Sequence, residues 1–561
     1  MRARWLVARR LAGFPATDVA PPVPALDFFE TMANLDPYAR WLFANEPREA
    51  DLARMRELAH AFERKPTIAV IVDDVAGDAS QAIQAVSDQA YPLTTLARTS
   101  QHDAGAEDWA RFNAALAGCE ADIVVFCDAD RVLARHATFE IALAFNLAPD
   151  SVAAYGDRDV VGEGGVRRDP IFAPDWSPDT FLSGMYTGSV IFYRRESLAH
   201  AGGFRPGCGR ALHYDLALRV LEDTDRVIHR SAILVHEFRP ASNGRAGAAE
   251  SDADRVVAEA LERRGDPGHV VATACPGVHI VRYAQRDAGR VEVIVPTRDL
   301  ADKLERCLES VYGRNACCEL RVTVVDNGSV ERATATLLKA YCEREPRRFR
   351  VLKMDEPFNF SRLVNAAVRS NDGPNILLLN NDAAFAMDEG IAALLEQARR
   401  ACIGAVGARL LYADGALQHA GVVVGIGGFA GHVYRGADPV FAANHASIAG
   451  VRNYAAVTAA CMMFRREAFE AVGGFDERLA VEFNDIDFCL KLRRAGLRNV
   501  YLPHVVLQHD ESSSRGRAKV SRARVARERE LFREIWSSDT FVDPYYNPNL
   551  TLECEDASLA L

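Results

Sequence analysis

The sequence lacks the marks of several large protein classes. Its 561 residues include 12 cysteines but no Cys-x-x-Cys pair, so no structural zinc site is expected, and the scattered thiols indicate a reducing compartment. No run approaches the roughly 20 apolar residues that span a bilayer. The Arg-rich start has no apolar core of the kind found in a secretory signal. We therefore expect a cytoplasmic protein.

An excess of basic charge is also absent. The net charge of −11 argues against a nucleic-acid partner, because binding to phosphates needs a basic face. The Arg-rich stretch 515–527 is a local exception. Such a stretch is usually a solvated helix face, but it would also suit an anionic membrane surface, so peripheral membrane association stays open.

What the sequence does contain is a repeated alternation of buried strands and helices. Apolar runs at 67–72 and 121–126 predict strands in the first half, and runs at 291–295, 320–325 and 376–379 predict strands in the second. Continuous apolar strands separated by amphipathic helices indicate a mostly parallel sheet covered by helices on both faces. The fold class expected is therefore α/β.

The two halves also resemble each other. Residues 193–204 match 464–475 without a gap, and 214–219 match 486–491. A repeat of this length indicates a duplicated domain rather than a solenoid. The predicted organisation is a helical N-terminal segment (1–64), a first α/β domain (65–245), a connection (246–288), a second α/β domain (289–516) and a C-terminal helix and tail (517–561).

Acids follow three consecutive strands of the second half: Asp299, Asp326 and Asp382. A single Asp after a strand is usually a turn former, but parallel sheets bind ligands beyond the carboxyl ends of their strands. Asp382 could coordinate Mg²⁺ or Mn²⁺ carrying a diphosphate. Asp326 is placed to accept hydrogen bonds from a base or a ribose.

Two further residues complete this candidate site. Asp485 falls in the first turn of a predicted helix, where an acid often only caps the helix. Beside a donor-binding edge, however, its carboxylate would be a good general base for a sugar hydroxyl. His509 is a candidate third contact to metal or phosphate, although a lone His is more often structural.

Six runs are similar to family 2 glycosyltransferases of the GT-A fold: 293–297, 324–329, 379–382, 473–476, 484–487 and 509–516. Three more resemble the bacterial rhamnosyltransferase and O-antigen-type branch: 356–361, 414–421 and 543–550. The resemblance implies two tandem GT-A domains, each with a Rossmann-like, mostly parallel sheet, after a helical N-terminal segment.

The same resemblance implies a role for each matching residue. Asp326 would bind the nucleotide, Asp382 would be the acid of the DXD-type metal motif, and Asp485 would be the base. The motif here has one carboxylate instead of two, since Asn380 and Asn381 precede the acid. The predicted nucleotide-binding set is Thr297, Asp299, Asp326, Asn380 and Asn381, and the predicted metal contacts are Asp382 and His509.

The first half departs further from the family pattern. Asp128 and Asp130 keep both acids of the metal motif, but His213 stands where the second half has Asp485, and Asp215 stands opposite Asp487. A histidine can act as a base near neutral pH. We expect a degenerate first site that can still bind donor or acceptor glycan.

The leading hypothesis is an inverting glycosyltransferase that uses a UDP- or dTDP-sugar and a divalent metal, with a cell-surface glycan or lipid-linked glycan as acceptor. The alternative is a non-catalytic glycan- or nucleotide-binding module of a polysaccharide synthesis complex. A nucleotidyltransferase would need a Gly-rich basic loop after the first strand, and 296–299 is not one. The glycine-rich run 425–430 fits a dinucleotide pattern only loosely, because no acid follows at the required spacing.

Overall fold

The structure is a computed structural model that describes residues 36–101, 106–222, 224–238, 246–284, 289–315, 318–510 and 522–561. The first part of the predicted N-terminal segment and residues 511–521, which include much of the Arg-rich stretch, lie outside these ranges. None of the helices within them is long and apolar enough to cross a membrane.

The first sheet contains eight strands: β1 (Ile68–Val72), β2 (Thr94–Arg98), β3 (Ile123–Cys127), β4 (Arg131–Leu133), β5 (Ala153–Val161), β6 (Arg167–Ile171), β7 (Phe192–Arg194) and β8 (Val227–Phe238). Their order is β2-β1-β3-β7-β5-β8-β4, with β6 paired to β5. A separate hairpin follows, formed by β9 (Gly268–Ala272) and β10 (His279–Tyr283).

The second sheet contains ten strands: β11 (Arg290–Thr297), β12 (Glu319–Asp326), β13 (Phe349–Lys353), β14 (Asn375–Leu379), β15 (Ala383–Phe385), β16 (Ile403–Leu411), β17 (Leu417–His419), β20 (Arg452–Tyr454), β21 (Cys461–Arg465) and β22 (Arg498–His509). A short hairpin of β18 (Val422–Val424) and β19 (Ala430–His432) is separate from it. The strand order is β13-β12-β11-β14-β21-β16-β22-β15, with β17 on β16 and β20 on β22.

Helices cover both sheets. Those before residue 285 are α1 (Pro37–Asn45), α2 (Glu49–Ala59), α3 (Ser80–Ser87), α4 (Asp108–Ala117), α5 (Ala137–Leu147), α6 (Pro178–Phe181), α7 (Arg195–His200), α8 (Leu212–Val220) and α9 (Ala246–Arg263). The later ones are α10 (Ala301–Arg314), α11 (Arg332–Arg344), α12 (Phe360–Arg369), α13 (Gly390–Ala398), α14 (Pro439–Asn444), α15 (Ala446–Ala449), α16 (Arg466–Ala471), α17 (Asn484–Arg494) and α18 (Arg522–Trp536).

The α/β fold class is confirmed, but the sheets are mixed rather than mostly parallel. The strands β13, β12, β11 and β14 run parallel, as predicted. Beyond β14 the order continues through β21, which is antiparallel to both β14 and β16. The first sheet changes direction in the same way at β7. Parallel neighbours need long connections such as the helix of a strand–helix–strand unit. The regular succession of these units ends where the two sheets change direction.

The two halves of the chain are in contact through a buried acid. Asp179, at the start of α6, is paired with Arg400 at 2.6 Å and with Arg498 at 2.8 Å. Although burial alone would raise the pKa of Asp179, the two guanidinium groups hold it well below its ordinary value. Because Asn453 also donates to this carboxylate, the charge is fully compensated, as a buried charge requires.

Candidate functional site

The ends of three parallel strands meet at one edge of the second sheet. Thr297 at the end of β11 is in register with Asp326 at the end of β12. The side-chain nitrogen of Asn381, which follows β14, donates to Thr297 Oγ1 at 2.9 Å. The structure therefore brings together the strand ends that the sequence singled out.

A cavity of about 1140 Å³ lies at this edge. Five predicted site residues line it: Thr297, Asp299, Asn380, Asn381 and Asp485. A small-ligand pocket commonly has about 300–1,000 Å³, so this cavity is slightly larger than that range.

The acids after β11 and β12 organise the loops around the cavity. Asp299 Oδ1 accepts hydrogen bonds from the backbone nitrogens of Val330 and Glu331, both at 2.8 Å. Asp326 Oδ1 accepts from the Ser329 nitrogen at 2.9 Å. The cavity lining includes Asn327 next to Asp326, a residue that the sequence analysis did not select.

Asp382 and His509 lie together next to Asn380, but both are buried and neither is among the residues that line the cavity. Asp382 Oδ1 is 3.2 Å from His509 Nε2, yet this oxygen has no hydrogen-bond partner in the part of the chain that the structure describes. The other ring nitrogen of His509, Nδ1, is 2.6 Å from Gln418 Oε1. Since an amide oxygen only accepts, Nδ1 is the donor in its contact with Gln418. Nε2 also lies 3.2 Å from Asn380 Nδ2, so this ring nitrogen is close to both Asn380 and Asp382.

Asp485 is half-buried in the first turn of α17 and lines the cavity. The helix starts after Phe483, which has a left-handed backbone with φ 60°. Asp485 Oδ2 accepts from the Ala459 nitrogen at 3.0 Å, and the next carbonyl, that of Ala460, accepts from the Asn380 nitrogen at 3.0 Å. Two consecutive residues thus connect the candidate base to the candidate metal motif.

The acids next to these residues have structural partners. Asp487 is buried and pairs with Lys491 at 3.0 Å, and it accepts from the Trp536 ring nitrogen at 3.0 Å. Asp510 pairs with Lys303 and Arg306. Burial alone would raise the pKa of Asp510, but these two cations lower it.

In the first half, the candidate residues Asp128 and His213 contact each other. Asp128 Oδ1 is 3.2 Å from His213 Nε2, and although burial would raise the pKa of Asp128, the neighbouring His213 and Arg131 lower it. The His213 ring also lies against three phenylalanine rings, Phe112, Phe126 and Phe204, with centroids 5.4, 6.4 and 5.5 Å away.

The other two first-half candidates are also paired. Asp130 lies 2.8 Å from Arg131. Asp215 is fully buried and is held by Arg205 and Arg219 at 2.5 and 2.8 Å. Although burial would raise the pKa of Asp215, these two arginines lower it. The structure thus brings Asp128 and His213 together but places Asp215 in an interior ion cluster.

Two parts of the cavity wall were missed by sequence reasoning. The glycine-rich run 425–430 is the turn between β18 and β19, where Gly427 and Gly428 have φ 61° and 79°, and Phe429 at its end lines the cavity. The second missed part is 553–555, near the C-terminus. The sequence contained one signal for 553–555, because the family-like run 543–550 lies just before these residues.

Comparison with known proteins gives the family. Residues 288–531 match the model of "Glycosyltransferase like family 2". The chain is 36% identical over 459 residues to the uncharacterized protein y4gI of Sinorhizobium fredii, covering 80% of this chain and 50% of that protein. It is 34% identical over 585 residues to the O-antigen biosynthesis protein RfbC of Myxococcus xanthus, covering 98% of this chain and 44% of that protein.

A shorter match of 65 residues, at 38% identity, relates 12% of the chain to 21% of an N-acetylglucosaminyl-diphospho-decaprenol L-rhamnosyltransferase of Mycobacterium tuberculosis. The chain spans about half the length of the two long relatives. The matched family segment contains β11 to β22, the cavity edge and every predicted site residue of the second half. The chain therefore contains a glycosyltransferase family 2 domain at residues 288–531.

Proposed function

We propose that the chain is an inverting glycosyltransferase that moves a sugar from a nucleotide-diphosphate donor to a hydroxyl of a glycan acceptor. The observation that carries this proposal is the link between Asp485 and Asn380 through Ala459 and Ala460. It holds a carboxylate that can act as a base next to the residues that would bind the donor diphosphate. UDP- and dTDP-sugars are the donors we favour, and a lipid-linked or cell-surface glycan is the proposed acceptor.

The donor nucleotide would bind at the ends of β11, β12 and β14. Thr297 and Asn381 are held in place by their mutual hydrogen bond. Asn327, which also lines the cavity, is held by donating to the Met354 and Glu356 carbonyls at 2.7 and 2.8 Å. Fixed amide and hydroxyl groups can orient a base and a ribose without a large ordering cost on binding.

Asp382 and His509 are the residues that would hold a divalent cation. Two ligands at right angles around Mg²⁺ or Mn²⁺ are about 3 Å apart, which is close to the 3.2 Å between Asp382 Oδ1 and His509 Nε2. No three His, Cys, Asp or Glu side chains cluster as a metal site within the described ranges, so the donor phosphates would complete the coordination. The cation would stabilise negative charge on the departing diphosphate.

Asp485 would take the proton from the acceptor hydroxyl. The hydroxyl oxygen then forms a bond to the anomeric carbon, while the bond from that carbon to the diphosphate oxygen breaks. The proton ends on Asp485 and the electron pair on the nucleoside diphosphate. One displacement without a covalent enzyme intermediate inverts the anomeric centre.

The first test is a thermal-shift panel of UDP, GDP, dTDP and CMP, each with and without Mn²⁺ or Mg²⁺. A ligand that binds only the folded state raises the melting temperature. We expect one diphosphate to stabilise the wild type in the presence of metal and to lose this effect in Asp382→Ala. The matched control is Asp388→Ala, because Asp388 is six positions away, 76% exposed and paired only at the surface with Arg314.

A metal-dependent shift that survives in Asp382→Ala would contradict the assignment of the cation site. The absence of any nucleotide effect on the wild type would contradict the enzyme proposal. That result would favour the non-catalytic binding module and would direct the next experiments to glycan ligands.

A further inference from the structure

The C-terminal strap, which we define as residues 537–561, connects the two halves of the chain. Its side chain Asn547 donates to both oxygens of Asp157 in β5, at 2.9 and 3.0 Å, and to the Ala173 carbonyl at 2.8 Å. Asn549 donates to the Ser231 carbonyl at 3.1 Å. Because Asp157, Asn547 and Asn549 are at most 2% exposed, the strap is built into the first half rather than resting on its surface.

The charge at this docking point is compensated inside the first half. Asp157 Oδ1 lies 2.9 Å from His229 Nε2, and it also accepts from the Ala173 nitrogen at 2.9 Å. Burial alone would lower the pKa of His229, but Asp157 and Asp175 raise it to about 9. His229 is therefore the charge partner of the carboxylate that accepts two hydrogen bonds from Asn547.

The other end of the strap forms part of the cavity in the second half. Gly427 donates its backbone N–H to the Leu552 carbonyl at 2.8 Å. Glu555 accepts from the His432 nitrogen at 2.8 Å and from Arg435 Nε at 2.7 Å. These contacts place 553–555 in the cavity wall, next to the β18–β19 hairpin.

The strap reaches the cavity through this hairpin, whereas the nucleotide end consists of the ends of β11, β12 and β14. Glu553 is exposed to the cavity, and its carboxylate has no partner in the chain segments that the structure describes. At the strap, the carboxylates of Glu553 and Glu555 line the cavity, and the nearby Arg435 is paired with Glu555. This balance disfavours an anionic ligand at the strap and suits the hydroxyls of an uncharged sugar, which donate to carboxylates.

We propose that the first half of the chain is the scaffold for the C-terminal strap, and that the strap is the acceptor-side wall of the cavity, binding an uncharged sugar of the acceptor. The scaffold role depends only on the contacts above. The assignment to the acceptor rests on the proposed glycosyltransferase function. The family-like run 543–550 thereby gains a physical role, since it contains the asparagines that dock into β5.

The test uses the full chain and the substitution Asn547→Asp, which places a second carboxylate against Asp157. Hydrogen–deuterium exchange is measured without ligand on peptides covering 422–436 and 543–556. Loss of a buried charged hydrogen bond with added repulsion should raise local exchange by about tenfold or more in both segments. Asn547→Ala removes the hydrogen bonds without adding charge and should give a smaller rise in exchange. This variant replaces Asn547→Asp in the test if Asn547→Asp does not fold.

Two further variants separate docking from general damage. The double variant Asp157→Asn with Asn547→Asp exchanges donor and acceptor and should bring exchange back to within about threefold of the wild type. Asp73→Asn is the matched control, because Asp73 is a buried first-half acid paired with Arg111 and Thr99. Asp73→Asn should leave the hydrogen–deuterium exchange of both segments unchanged. Unchanged exchange at 422–436 in both Asn547 variants would overturn the scaffold role.

The acceptor-side assignment is tested by labelling Cys554, which is exposed and lines the cavity. N-ethylmaleimide modification of this cysteine, followed by mass spectrometry, should slow less than about twofold when UDP or dTDP is added with Mn²⁺. Strong protection by a nucleotide that binds would place the strap at the donor end and overturn the assignment. If neither nucleotide shifts the melting temperature, the proposed function fails, while the exchange results still decide the scaffold role.

Discussion

The two halves of the chain carry similar residues at the ends of their central strands but differ in what those residues contact. In the second half, Asp382 keeps an oxygen without a hydrogen-bond partner among the described residues, and Asp485 faces the cavity. In the first half, Asp128 is paired with His213, whose ring is surrounded by aromatic side chains. The first half keeps both acids of its motif and the second only one. The comparison teaches that the contacts of the acids, not their number, mark the candidate reactive edge.

The helices that follow these edges show what the halves have in common. Asp215 in α8 and Asp487 in α17 are both buried, and each pairs with a cation four residues later, Arg219 or Lys491. The duplicated pattern therefore preserves an interior ion pair. The two positions differ two residues earlier, where the second half has Asp485 and the first has His213.

The largest expected effect concerns this pair of positions. Asp485→Asn should lower the rate of nucleoside diphosphate release from the donor by about 100- to 10,000-fold, because a general base contributes that much. Donor affinity should stay within about twofold, since Asp485 would act on the acceptor hydroxyl. His213→Ala is the matched substitution and should leave the rate nearly unchanged. Equal losses in the two variants would make the first half a second catalytic site.

The next effect tests the shared ion pair. Asp215→Ala and Asp487→Ala should each lower the free energy of unfolding by about 1–3 kcal/mol, because each leaves a half-buried cation without its buried carboxylate partner. Chemical denaturation measures this loss, with the exposed Asp388→Ala as control. Nucleotide-induced stabilisation should persist in both variants. If Asp487→Ala abolished it at unchanged stability, Asp487 would belong to the site rather than to the scaffold.

The sequence predicts the parallel part of the fold well because the signal there is local. The strands β11, β12 and β14 correspond to the mainly apolar runs at 291–295, 320–325 and 376–379. The antiparallel part was not predicted. Strand direction beyond β14 depends on which distant strand pairs with it, and apolar runs alone carry no such information.

The candidate site likewise has residues that the sequence predicts and residues that it does not. Asp382, His509 and Asp485 could be chosen because each follows a strand or begins a helix in a recognisable pattern. Gln418 could not, since it lies 91 residues from His509 in sequence and is buried against it only after folding. The same is true of Glu555, whose contacts with β19 depend on a strap anchored in the other half. The domain boundaries themselves stay predictions.

The halves should also differ in how their stability depends on pH. In the first half, the pKa of His229 is raised from 6.5 to about 9 by Asp157 and Asp175, against the opposing effect of burial. Its contribution is fully present below about pH 6.5 and is lost as pH rises through about 9, amounting to about 3 kcal/mol. The wild type should therefore lose stability over this range relative to His229→Gln, as measured by denaturation at several pH values.

A histidine of the second half should show the opposite sign. Burial, together with Arg282 and Arg409, lowers the pKa of His504 from 6.5 to about 3. This residue destabilises the fold as pH falls below about 6.5, since only the unfolded chain then takes up the proton. His504→Gln should reduce the loss of stability on the acid side without changing the alkaline side. If His229→Gln and His504→Gln changed the dependence of stability on pH in the same direction, the result would contradict this difference between the halves.

The smallest expected effect sharpens the comparison at the metal motif. Gln418→Leu should weaken Mn²⁺ affinity by about 10- to 100-fold, because partners that orient a ligating imidazole contribute that much. The variant removes the acceptor at Nδ1 that helps to orient the His509 ring and to hold Nε2 near Asp382. The readout is a Mn²⁺ titration of the nucleotide-induced shift in melting temperature.

The matched control for this change lies in the first half. Gln89 is also buried, and its side chain accepts hydrogen bonds from the backbone nitrogen and hydroxyl of Thr138, both at 3.0 Å. Gln89→Leu should lower stability by a similar amount but leave the Mn²⁺ midpoint unchanged. Equal Mn²⁺ midpoints in Gln418→Leu and the wild type would mean that the contact with Gln418 does not orient His509 for metal binding. A Mn²⁺ midpoint that shifts in both variants would instead show that metal binding depends on the whole fold. The different contacts of the acids in the two halves would then not explain metal binding.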